Sequence, residues 1–207
     1  MNQQIVRIDL PLPDRWCGWR PGEGPRVAAR AAAALTDSPV AETRLRSALE
    51  AVDRAVVEQH SHHVRVGAWV PDLSGDVVGG LACEILAGAA DGLDPAAEFL
   101  GRVKRKIGRS RRTATRLIYH SASVRTVPAG GAVVTLRSHG AHRHEVVWTV
   151  FPAESRGAVE LRFDTRAGSR FEELVAHAEA VVRDLRVTFA RPLVGRVTVP
   201  PHVEQPA

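Results

Sequence analysis

Residues 158–164, Ala158-Val159-Glu160-Leu161-Arg162-Phe163-Asp164, alternate between apolar and charged side chains. A period of two needs one buried and one wet face, so this stretch predicts a strand with Val159, Leu161 and Phe163 turned inward. A few residues on, the period lengthens. Phe171, Leu174, Val175, Ala178, Val181, Val182 and Leu185 recur at spacings of three and four, the apolar stripe of an amphipathic helix. Ser169 with Glu172 has the spacing of a capping box at its start. Val187 and Phe189 then return to strand spacing. A half-wet strand followed by a one-sided helix is the signature of a sheet with helices on its face.

Working outward, residues 116–127, 132–138 and 145–151 give three more strands. Pro128-Ala129-Gly130-Gly131 and residues 152–157 are short, turn-rich connections, which join antiparallel neighbours rather than parallel ones. Residues 64–70 and 77–86 predict a hairpin around Asp72–Asp76, and Gly79-Gly80 predicts a bulge or a close backbone approach. Asp94-Pro95 opens a helix with Asp94 as N-cap and Phe99, Val103 and Ile107 inward. An Ala-rich helix covers 25–35, and a second starts at Ser38-Pro39 with Leu45, Leu49, Val52 and Val56 on its buried side. Residues 4–10 predict a first strand with Val6, Ile8 and Leu10 on one face. The Pro- and Gly-rich segment after it is irregular, with Trp16 and Trp19 closing one end of a core. The expected class is α+β: an antiparallel sheet meander flanked by amphipathic helices. We expect a single domain over residues 1–199 and a flexible polar tail over 200–207.

Four meandering strands and a C-terminal amphipathic helix over residues 116–189, together with an opening strand followed by Pro13-Asp14-Arg15-Trp16, resemble the Mog1/PsbP-like fold family. The resemblance implies a central antiparallel sheet flanked by helices, and mostly non-enzymatic binding or accessory proteins. That family has no shared catalytic motif, so no residue role is carried over.

The 207 residues are 44% hydrophobic and 25% charged, a globular balance. No apolar run approaches the roughly 18–20 residues of a membrane span. The first residues lack the plan of an export signal, so a cytoplasmic address is expected. Cys17 and Cys83, in no CxxC pair, are expected to be free and buried. The net charge of +5 is local: eight cations and no acid lie between Arg102 and Arg116. An Arg-, Ala- and Gly-rich composition fits GC-rich, bacterial-type coding.

Three features could carry chemistry. On a helix, Arg102, Arg105, Lys106 and Arg109 share one side, opposite Phe99, Val103 and Ile107, and Arg111 and Arg112 prolong the stripe. They are the expected contact for a protein partner or an anion. Phosphates of a nucleic acid or of a phospholigand, bound by the basic 102–116 segment, are the alternative, although no aromatic interleaves with these cations in sequence. His142 and His144 at strand spacing could share a metal, as could His60 and His62, which keeps a metal-dependent enzyme open as a third reading. No acidic residue is an obvious third ligand, and the expectation is no metal and no cofactor. No G-x-S-x-G elbow and no phosphate-binding glycine motif occurs. The leading expectation is a non-catalytic interaction or accessory protein.

Overall fold

The computed structural model describes residues 3–59, 62–88, 94–110, 117–140 and 142–190, without the side chains of 108–110. His60, Arg111, Arg112 and the expected tail at 200–207 lie outside the described residues, and so does the side chain of Arg109. In chain order come β1 (Ile5–Asp9), β2 (Trp16–Trp19), α1 (Gly24–Leu35), α2 (Pro39–Glu58), β3 (His63–Trp69), β4 (Gly79–Leu86) and α3 (Pro95–Ser110). Then follow β5 (Leu117–Val127), β6 (Gly130–His139), β7 (Arg143–Phe151), β8 (Ala158–Thr165), α4 (Phe171–Arg183) and β9 (Arg186–Phe189).

Seven strands form one sheet in the order β2-β3-β4-β8-β7-β6-β5, and every pairing in it is antiparallel. Two meanders, β2–β4 and β5–β8, are thus joined edge to edge through β4 and β8. β1 pairs with β9 in a separate antiparallel ribbon. The class is α+β with an antiparallel sheet, as the alternation of 158–164 and the following helix require.

α4 packs its Leu174, Ala178, Val181 and Val182 on Leu161 and Phe163 of β8, Val146 and Trp148 of β7 and Leu81 of β4, with Ile5 and Ile8 of the ribbon closing that layer. The opposite face carries two smaller clusters. α1 and α2 bury Leu45 and Leu49 against Val66 and Ala68 of β3, and α3 buries Ala96 against Val133, Phe151 and Ala158. Ser38 caps α2, its Oγ accepting from the amide of Ala41, and Asp94 caps α3 through the amide of Ala97. Each such cap is worth about 1 kcal/mol.

The structure corrects several expectations. The register of β1 shifts between Ile5 and Arg7, so Ile5 and Ile8 face the core while Val6 is 56% exposed. A bulge adds one residue and turns the following side chains to the other face. Trp16–Trp19 is a strand rather than irregular chain, and its two tryptophans serve opposite faces. Trp16 stacks on Trp69 in the α4 core, whereas Trp19 donates from its indole to buried Asp53 on α2. Ser169 does not cap α4: Gly168–Arg170 form a 3₁₀ turn that leads into the helix, and its first residue is Phe171.

Candidate functional site

Strand register builds the site. On the face away from α4, Arg137 of β6 stands opposite Glu145 of β7, Glu145 opposite Asp164 of β8, and Asp164 opposite Gly80 of β4. Two steps along the strands lies a second row, Val147, Arg162 and Ala82, and two further on a third, Thr149, Glu160, Glu84 and His63. α2 covers one flank of this face and α3 the other. The middle is left to charged side chains.

Most of these charges pair with one another, while Arg162 Nε and His63 Nδ1 are buried with no partner in hydrogen-bonding geometry. Arg137 Nε donates to Glu145 Oε2 at 2.6 Å, and Arg143 Nε donates to Asp164 Oδ2 at 3.0 Å while standing 3.3 Å from Glu145 Oε1. His139 Nε2 lies 3.1 Å from the same Glu145 oxygen. Arg162 Nη2 donates to Glu160 Oε1 at 3.0 Å, and Glu84 Oε1 approaches His63 Nδ1 to 2.6 Å. The Glu145 side chain is 1% exposed. Its burial pulls the carboxyl pKa up, but the Arg137 hydrogen bond and the charges of Arg137, Arg143 and His139 outweigh that and hold it below the usual range. For Asp164 burial wins over Arg143, and its carboxyl is raised.

Beside this network runs a slot of about 590 Å³. Val52 and Val56 of α2 form its apolar wall, Gly80 and Ala82 lie in its floor, and Arg143, Arg162, Asp164 and Arg166 bring charge to it. Both glycines sit in tight places: a Cβ on Gly79 would meet the Asp164 carbonyl oxygen at 3.2 Å, and one on Gly80 would meet Asp164 Oδ1 at 3.1 Å, so the carboxylate would have to give by a few tenths of an ångström. The pair Gly79-Gly80 therefore marks a close approach, as expected from sequence. The arrangement can hold an extended ligand, with apolar groups on α2 and acceptor groups on the guanidiniums.

The basic stripe of α3 lies elsewhere. Val103 is buried and Ile107 half-buried, whereas Arg102, Lys104, Arg105 and Lys106 are exposed, so the inner and outer sides are those read from the spacing. Aromatics do accompany two of the cations: Arg102 lies over the ring of Phe99 at 5.5 Å and Lys106 over Tyr119 at 5.9 Å. Tyr119 comes from β5, which no spacing along the helix could reveal.

Among the described residues the candidate histidines do not form a ligand cluster. His142 lies in the turn before β7, so it does not share the strand geometry of His144. The His144 ring packs on Phe171, with centroids 5.4 Å apart. Among the described residues no group of three His, Cys, Asp or Glu side chains could hold a metal ion.

No protein-family model matches the sequence, and no curated protein matches it. Solved structures do. The solution structure of cyanobacterial PsbP (CyanoP) from Synechocystis sp. PCC 6803 is 10% identical, with a TM-score of 0.45 over 87% of this chain and 86% of that one. LpqN of Mycobacterium tuberculosis, involved in cell envelope biogenesis, is 13% identical, with a TM-score of 0.46 over 87% and 83%. PA94 of Pseudomonas aeruginosa, a protein of unknown function, is 10% identical, with a TM-score of 0.37 over 93% and 99%. Among the described residues no helix is long and apolar enough to cross a membrane.

Both cysteines are free and buried, and burial pushes the Cys17 thiol up to about 11 and that of Cys83 up to about 12. Neither is a thiolate nucleophile at neutral pH. Sequence reasoning passed over Arg137, Arg143, Glu145 and Asp164. One signal was available: Glu145 heads the continuous apolar run Val146-Val147-Trp148, so a carboxylate was due to be buried with a strand wetted on neither face.

Proposed function

We propose that this chain is a non-catalytic interaction protein that takes an extended segment of another protein into the slot between α2 and the Arg143–Arg162–Asp164 wall. The observation that carries this is the open middle of the sheet face, apolar on one side and charged on the other. Arg143 and Arg162 already face Glu145, Asp164 and Glu160, so it is Arg166 of the lining that favours a segment setting an acidic residue beside apolar ones. The carboxylates and guanidiniums are engaged with one another, which suits recognition better than acid–base turnover.

The test is a selection of short peptides from a random library against the folded protein. Enriched peptides should pair acidic with apolar residues and bind the wild type at least roughly tenfold more tightly than Ala82→Phe, which fills the slot without removing a charge. Peptides that bind Ala82→Phe equally well, or no enrichment at all, would rule the slot out.

A second reading rests on the four exposed cations of α3, which could instead neutralise phosphates. If they do, affinity for a duplex oligonucleotide falls steeply with salt, and changing Arg102, Arg105 and Lys106 together to Ala flattens the slope by up to about one unit per lost phosphate contact. We expect weak, sequence-indifferent binding instead, on the order of 10⁻⁴–10⁻⁶ M. Nanomolar, sequence-selective binding abolished by the triple change would make this the primary function.

A further inference from the structure

β5 ends the seven-stranded sheet, and among the described residues nothing pairs with its outer edge. Such an edge offers its free N–H and C=O groups to any extended chain, and proteins usually blunt it with lysine or proline. β5 contains neither, and across eleven residues its one charged side chain is Arg125. Two large apolar residues stand out from it, Ile118 at 36% and Val124 at 42% exposure. The register shift between Tyr119 and Ser121 confines regular strand to residues 121–127. Within that stretch Arg125 Nη1 donates to the carbonyl of Val124 at 3.1 Å, occupying an acceptor that an added strand would use.

We propose that β5 is the contact strand of a homodimer, in which two copies pair antiparallel about a two-fold axis through Val124. The sequence is self-complementary about that point. Val124 meets its own twin, Ser123 meets Arg125, Ala122 meets Thr126 and Ser121 meets Val127. No like charges oppose each other, the exposed valine is covered, and Arg125 exchanges the Val124 carbonyl for the serine hydroxyl opposite. Parallel pairing in register would set Arg125 against Arg125, which is unfavourable. The Val124 carbonyl and amide point to the open side, as do those of Ala122 and Thr126, since outward groups recur at every second residue. An axis of this kind runs perpendicular to the sheet, so both slots face the same way and one assembly presents two of them.

A seven-residue strand contact is small, so the association is weak, with a midpoint on the order of 10–100 µM. Sedimentation equilibrium of the untagged protein across that range should show the mass rising from monomer to dimer. Val124→Lys sets two ammonium groups face to face on the axis and should raise the midpoint by roughly tenfold or more. A wild type that stays monomeric throughout overturns the proposal, and so does a dimer that Val124→Lys leaves unchanged. If Val124→Lys fails to fold, Ala122→Pro takes its place and should weaken the dimer likewise, because the donor it removes points away from β6.

Discussion

Replacing Glu145 with Ala is expected to destabilise the protein by about 3–5 kcal/mol, because it leaves the guanidinium of Arg137 buried and unpaired in the middle of the sheet face. Arg137 is itself only 15% exposed and has Glu145 as its hydrogen-bond partner at 2.6 Å. Urea denaturation measures the loss, and one below about 1 kcal/mol would mean that water replaces the carboxylate without penalty. The acid branch of the stability curve adds a second check. The folded pKa of Glu145 lies below its unfolded value. Its stabilisation is therefore present above the unfolded pKa, about 4.3, and is lost as the pH falls through the lower folded value. Glu145→Ala should flatten that acid branch. Asp164, raised by burial, has the opposite sign: its contribution is present below the unfolded pKa and lost as the pH rises through the folded one. Neighbouring acids that share Arg143 thus pull the curve in opposite directions.

Trp69→Ala should be comparably severe, at about 3–5 kcal/mol, for a different reason. Trp69 is 1% exposed, stacks on Trp16 with centroids 6.2 Å apart, and receives His177 edge-on at 5.0 Å. Removing the indole leaves a cavity that neither ring can collapse into, since Trp16 is tied to His177 by its own hydrogen bond. The thermal midpoint should fall by roughly 10 °C or more for a chain of this length. Trp69→Phe should recover part of the loss. Equal melting of both variants would show that the site relaxes, contrary to the packing described.

How legible the fold was depended on how local each cause was. The strands of 116–164 and the helix after them could be read because period-2 and period-3.6 patterns are properties of neighbouring residues. The caps at Ser38 and Asp94 were equally local, as each side chain reaches an amide three residues on. Ser169 and Glu172 carried the same spacing, yet the chain enters α4 through a 3₁₀ turn, a backbone choice that side-chain identity does not dictate. Val6 was misplaced because a single bulge, invisible in composition, shifted the register. The site was less legible still. The register of one meander, spread over residues 137–164, sets Arg137, Glu145 and Asp164 in one row, and only the β4–β8 junction between the two meanders adds Gly80 to it.

The ribbon of β1 and β9 also bears on the order in which the molecule can be completed. The strands it unites lie at opposite ends of the described chain, and Ile5 and Ile8 reach the α4 core through it. Of the described strands, β1 leaves the ribosome before the others and its partner after them. It must wait unpaired while both meanders and α4 assemble, and contacts so distant in sequence close slowly. The earliest of the described strands is the last of them to be locked in place, so a nascent chain halted before residue 186 holds a sheet but lacks the clasp over its core.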